Sequence, residues 1–98
     1  MAEITVNDTH ARRQSAQILD VRENPEIGAG MISGALHIPM SEIPTRVDEL
    51  EQNTPVIVVC RSGNRSAHVA DALTAAGFTA DTMTGGMIAW ARAGLPTT

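Results

Sequence analysis

The chain predicts an α/β domain with three α/β/α layers: about five mostly parallel strands with helices on both faces. Three observations carry that expectation. Val56-Ile57-Val58-Val59 is a β-branched apolar run of the length and type that a strand buried on both faces requires. Four further strand-like segments alternate with helical ones along the chain, the pattern of parallel sheets with crossover helices. Glycine and proline mark the ends of those segments, as Pro39, Gly77 and Gly85-Gly86 do.

Taken in order, Glu3-Ile4-Thr5-Val6 reads as a short edge strand, with Asn7 or Asp8 as cap of a helix through about Ser15. Gln17–Val21 is a second buried strand, ended by the loop residues Arg22-Glu23-Asn24-Pro25. Glu26 to Gly34 is glycine-rich and irregular, with room for one helical turn. Ala35-Leu36-His37-Ile38 is a third strand, stopped by Pro39. Ser41 is placed to cap the next helix, whose first turn tolerates Pro44. Its apolar face is Ile43, Val47 and Leu50, while Asp48, Glu49 and Glu51 face water. After the Val56–Val59 strand and a short loop, the alanine-rich stretch Ser66–Ala76 reads as a helix with Val69, Ala70, Leu73 and Ala76 as its packing stripe and Gly77 as its stop. Thr79–Met83 alternates as a fifth strand. Gly85-Gly86 then turns the chain into a last helix, Met87–Arg92, closed by Gly94 and Pro96.

Ninety-eight residues, 43% of them hydrophobic, suit one domain over 1–98 with a single core. No run approaches the roughly 18 apolar residues of a membrane span, and the amino terminus lacks the basic and apolar regions of a signal peptide. One cysteine forms neither an internal disulfide nor a cysteine-rich zinc site, so the expected compartment is the reducing cytoplasm. The net charge of −4, with seven arginines and no lysine, argues against nucleic-acid binding. No membrane partner is expected, no cofactor is implied, and His10, His37 and His68 share no metal-ligand spacing.

Two of the seven arginines lie within the six residues from Cys60 to Arg65, around the only thiol. The cysteine ends a predicted strand, and a helix N-terminus follows at once. Backbone N–H groups and the positive end of the helix dipole therefore converge on any anion held in Cys60-Arg61-Ser62-Gly63-Asn64-Arg65-Ser66. Such a setting depresses a cysteine pKa and provides a nucleophilic thiolate. Gly63 permits the left-handed turn that aims those amides inward, and Asn64 tolerates it too. Arg61 and Arg65 are candidate donors to an anionic substrate. Ser66 either caps its helix or donates to sulfur. Asp20 and Arg22 sit at a neighbouring strand end, where open α/β sheets bind ligands.

Four segments, Ile18-Leu19-Asp20-Val21-Arg22-Glu23, Gly34-Ala35-Leu36-His37-Ile38-Pro39, the Cys60–Ser66 loop, and Gly85-Gly86-Met87-Ile88-Ala89-Trp90 with Gly94-Leu95-Pro96, resemble those of the single-domain rhodaneses, or thiosulfate sulfurtransferases, in order and spacing. The resemblance covers almost the whole chain. It implies five parallel strands wrapped by helices, and a Cys60 that accepts a sulfane sulfur as a persulfide and passes it on. It implies a small anionic sulfur donor, thiosulfate or a persulfide, and a cyanide or thiol acceptor, with thioredoxin and glutathione among the candidate partners. It also inclines Arg65 toward pairing with Asp20 as a brace for the loop. One departure is visible: Gly30-Met31-Ile32 stands where the family usually reads Gly-His-Ile.

Two rival readings remain. Cysteine phosphatases and arsenate reductases place five residues between cysteine and arginine; here four, Arg61 to Asn64, precede Arg65. That tighter cradle suits a single sulfur better than a tetrahedral oxyanion. A non-catalytic docking or regulatory module is the other, since a lone cysteine often serves only as a small core residue.

Overall fold

The computed structural model describes residues 1–98. Its five strands are β1 (Glu3–Ile4), β2 (Gln17–Asp20), β3 (Leu36–His37), β4 (Val56–Val59) and β5 (Ala80–Met83). They form one sheet in the order β1-β5-β4-β2-β3, with every neighbouring pair parallel. The helices are α1 (Val6–Arg12), α2 (Asn24–Ile27), α3 (Ile43–Arg46), α4 (Asn64–Ala75) and α5 (Gly86–Arg92). No helix is long and apolar enough to cross a membrane.

Strand alternation divides the core into two halves. Val56, Val58 and Cys60 point to one face, where they pack with Val69, Ala70 and Leu73 of α4 and with Ile43 and Leu50. Ile57 and Val59 point to the other face and meet Met83, Met87 and Trp90. All four residues of β4 are fully buried, which explains why its sequence is an unbroken apolar run rather than an alternating one. Trp90 is buried too, an anchor for α5, and its indole N–H reaches the carbonyl of Pro96 at 3.1 Å.

Element ends depart from expectation where side chains compete for backbone groups. Thr5, not Asn7 or Asp8, caps α1: its hydroxyl accepts the Asp8 N–H at 3.0 Å, and the helix stops at Arg12. Ser41 caps nothing. It lies inside a 3₁₀ turn, Met40–Glu42, and the expected helix is a single α turn set between that turn and another at Val47–Glu49. Its apolar face is nonetheless as read, with Ile43 and Leu50 buried and Val47 packed beside them. Ala76 is exposed, because α4 ends one residue earlier. There the Gly77 N–H donates to the Thr74 carbonyl (3.1 Å) and the Phe78 N–H to that of Leu73 (3.0 Å), with Phe78 and Leu73 in the same core cluster.

The connection out of β2 leads to β3 on one side of the sheet, while α4 carries the chain from β4 to β5 on the other. A crevice opens at the carboxyl ends of strands where connections diverge in this way. Asp20 and Val59 are partners in the β2–β4 register, so Asp20 and Cys60 both stand at that crevice.

Candidate active site

Cys60 follows the last residue of β4 and is completely buried. The chain then folds back so that the Gly63 N–H donates to Sγ at 3.0 Å. Gly63 makes this possible with φ +107°, a conformation L side chains rarely adopt, and immediately precedes α4. Asn64 is the first helical residue with an ordinary φ, so the left-handed turn belongs to Gly63 alone.

Ser66 is not the cap of α4, since Gly63 holds that position. The Ser66 hydroxyl lies inside the first turn, fully buried, 3.1 Å from the Gly63 carbonyl, 3.4 Å from Sγ and 2.7 Å from Thr82 Oγ1. Burial pushes the thiol pKa up. The Ser66 hydroxyl and the backbone N–H groups of Ser66, Gly63 and Ser62 outweigh it, and the net pKa lies below the ordinary thiol value. Arg61 and Ser62 are exposed at the loop tip. Arg61 makes no ion pair, and with Met87, Ile88 and Leu95 it lines a cleft of about 610 Å³.

The expected pairing of Arg65 with Asp20 does not occur. Asp20 and Arg22 are 1% and 4% exposed and satisfy each other. The Arg22 Nη2 donates to Oδ2 at 2.7 Å, its Nε to Oδ1 at 3.0 Å, and its backbone N–H also to Oδ1 at 3.1 Å. The chain curls at the end of β2, so a residue two positions away saturates the carboxylate before Arg65 can reach it. Arg22 goes on to bind the carbonyls of Glu26 (3.3 Å) and Gly30 (2.7 Å), which ties the 26–30 segment to the sheet. His37 Nε2 lies 2.6 Å from the Arg22 carbonyl, a structural role. Met31, at the departure from the family pattern, is half-buried and offers its carbonyl to the Thr98 N–H at 2.9 Å.

Arg65 pairs instead with Glu26, end to end, through contacts of 2.7 and 2.8 Å. Glu26, the first residue of the stretch read as irregular, is half-buried and straps α2 to the start of α4. Its carboxyl is held at about 2, first by the Arg65 guanidinium and then by the Glu23 N–H. A carboxylate depressed in this way stabilises the fold above its unfolded value near 4.5, and that contribution is lost as pH falls toward 2. Chemical denaturation from pH 7 to 2 is expected to show wild-type stability falling more steeply below pH 4.5 than that of Glu26→Gln, the two curves converging at the acid end. Parallel curves would show that the strap contributes nothing.

Two further features were not legible as site residues. Gly86 lies so close beneath the loop that an added Cβ would sit 2.5 Å from the Cys60 carbonyl oxygen and closer still to that of Arg61. This approach lets the Met87 N–H donate to the Cys60 carbonyl (2.9 Å) and the Ile88 N–H to that of Arg61 (3.1 Å). Thr82 is the other. Ala80 and Thr82 share the α4 face of β5, and a buried hydroxyl there demands a partner, the signal by which it could have been found. No three His, Cys, Asp or Glu side chains gather into a group able to hold a metal ion. His68 is exposed, and His10 packs edge-on against Trp90 at 5.7 Å.

Comparison with known proteins agrees with this architecture. The model of the family described as Rhodanese-like domain matches residues 5–93. A protein of Allochromatium vinosum named sulfurtransferase is 40% identical over 87 residues, covering 88% of this chain and 81% of that one. A protein of Pseudomonas fluorescens named thiosulfate sulfurtransferase is 37% identical over 67 residues, covering 68% and 62%. The crystal structure of a rhodanese-related protein from Thermoplasma volcanium superposes with a TM-score of 0.96 at 31% identity, covering 100% of this chain and 98% of that one.

Proposed function

Because the chain belongs to the rhodanese-like domain family, we propose that it is a sulfurtransferase in which Cys60 carries sulfur as a persulfide between a small anionic donor and a thiol or cyanide acceptor. One observation supports this above the others. The only thiol stands at the carboxyl end of the central strand, held by the Gly63 N–H at 3.0 Å with the Ser66 hydroxyl beside it.

In the first half-reaction the Cys60 thiolate attacks the outer sulfur of thiosulfate. A bond forms between Sγ and that sulfur, the sulfur–sulfur bond of the donor breaks, and sulfite leaves with the electron pair. In the second, cyanide or a thiolate attacks the terminal sulfur of the persulfide. Thiocyanate or a new persulfide departs, and the Cys60 thiolate is regenerated with its electrons. Dividing the transfer in this way makes each displacement easier than the direct one. The amides of Ser62, Gly63 and Ser66 that favour the thiolate suit the terminal sulfur anion of the persulfide as well. Cys60 is wholly buried at rest, so on this reading the exposed side chains of Arg61 and Ser62 swing away to admit the donor while the Gly63 N–H stays on the sulfur.

Arg61 is the loop cation without a carboxylate partner, because Arg65 is taken by Glu26. It is therefore the group that meets the sulfonate end of thiosulfate. Arg61→Ala is expected to raise KM for thiosulfate about tenfold, with a smaller effect on kcat, as loss of one exposed charged hydrogen bond would. An unchanged KM would remove Arg61 from donor binding.

The decisive experiment is the intact mass of the protein after incubation with thiosulfate in the absence of reductant. A gain of one sulfur atom, reversed by cyanide and absent from Cys60→Ser, is the expected result. A non-catalytic docking module would also bury its cysteine; no gain with thiosulfate or with an organic persulfide would favour that reading.

A further inference from the structure

Behind the Cys60–Ser66 contact lies a second hydroxyl. Thr82 is 2% exposed on β5, and the only hydrogen-bond partner of its hydroxyl is Ser66 Oγ, 2.7 Å away. Hydrogen counting fixes the direction of that bond. A buried Thr82 proton with no other acceptor must go to Ser66 Oγ, for otherwise it is left unpaired at a cost of about 1–3 kcal/mol. The Ser66 proton is then barred from Thr82 and has two places to go: the Gly63 carbonyl at 3.1 Å and Cys60 Sγ at 3.4 Å. While Cys60 is a thiol, its own S–H points to Ser66 Oγ and the Ser66 proton rests on Gly63. Once Cys60 is a thiolate, the same proton turns to the sulfur.

We propose that Thr82 is a positioning residue for Cys60: by donating to Ser66 Oγ it strengthens the bond that the single Ser66 proton makes when it swings from the Gly63 carbonyl to the thiolate, and so sets the acidity of the thiol. The proposal rests on the reading of Cys60 as the nucleophile. A hydroxyl that accepts a bond donates a stronger one in turn, by about a tenth to a third in condensed phase. The charged group that acts on the thiol is Arg65 at the start of α4, itself paired with Glu26 of α2; Arg61 is next to Cys60 in the loop, and the mutually paired Asp20 and Arg22 lie at the end of the neighbouring strand β2. The β5 and α5 residues at the loop, Thr82, Met83 and Met87, are uncharged. Replacing the Thr82 hydroxyl therefore alters no charge, and any change in thiol acidity reports the relay.

The test is the thiolate titration of the intact protein followed by ultraviolet absorbance, which needs no sulfur donor, together with the pH profile of kcat/KM. Thr82→Val is expected to raise the midpoint by about half a pH unit, a roughly threefold loss of thiolate below it. Thr82→Ser is expected to restore the wild-type midpoint, and Thr82→Val is expected to have no effect in a Ser66→Ala background. Thr82→Ala serves the same purpose should the valine variant fail to fold. An unshifted midpoint, a serine variant that shifts as valine does, or a shift that persists without Ser66 would overturn the relay. Because the titration is independent of turnover, a wild-type protein that transfers no sulfur yet shows these shifts would sink the proposed function and leave the relay standing.

Discussion

Cys60→Ser is expected to lower sulfur transfer by about 10⁴-fold or more while leaving the protein folded. A serine hydroxyl is not ionised near neutral pH, and it cannot store sulfane sulfur as a persulfide. The Gly63 N–H and the Ser66 hydroxyl, at 3.0 and 3.4 Å from Sγ, remain able to bond to a serine oxygen, so no buried polar group is orphaned. What is lost structurally is sulfur packing inside the α4 half of the core, about 1–2 kcal/mol. In a domain of this size that moves the thermal midpoint by roughly 4–16 °C. Steady-state transfer and a melting curve on one preparation read both quantities. Retained turnover in a folded variant would end the persulfide mechanism.

Asp20→Asn is expected to have the largest effect on stability. It leaves the Arg22 guanidinium, 4% exposed, without its counter-charge. Removing one partner of a buried ion pair costs about 3–5 kcal/mol. That is a large share of the 5–15 kcal/mol typical of a whole domain, equivalent to a midpoint lower by about 12 °C or more. The loss reaches the 26–30 segment as well, because Arg22 also holds the carbonyls of Glu26 and Gly30. The double substitution Asp20→Leu with Arg22→Met removes both charges and is expected to recover much of the deficit. A midpoint within a degree or two of wild type for Asp20→Asn would show that water reaches and screens Arg22.

The parts of the molecule legible in the sequence are those governed by local periodicity. The buried strand Val56–Val59 lies where its apolar run places it, and Cys60, the left-handed Gly63 and the helix after it follow from residues within a few positions of one another. The ion pairs behave differently. Glu26 and Arg65 are 39 positions apart, and nothing in the charge pattern near either names the other. Their pairing depends on how the 22–34 segment crosses the sheet end, which Arg22 and the glycine-rich stretch decide together. The resemblance inclines Arg65 toward Asp20, and the structure differs for the converse reason: strand-end curl lets Arg22 reach that carboxylate first. Ser66 reads equally well as a cap or a sulfur ligand until the position of Gly63 excludes the first. Thr82 stayed hidden because a threonine in a strand needs no explanation until burial shows that its hydroxyl must find a partner.

The support that Met87 and Ile88 give to the Cys60 loop has a consequence for a chain still being made. The ribosome delivers Cys60 first and Ile88 28 residues later, an interval of a few seconds at about 5–20 residues per second. For the first twenty residues of that interval β1 also lacks its sole partner in the sheet, β5, which begins at Ala80. Until α5 follows, nothing from that helix holds the Cys60 and Arg61 carbonyls in place. The loop therefore reaches its final position only with the closing turn of the fold.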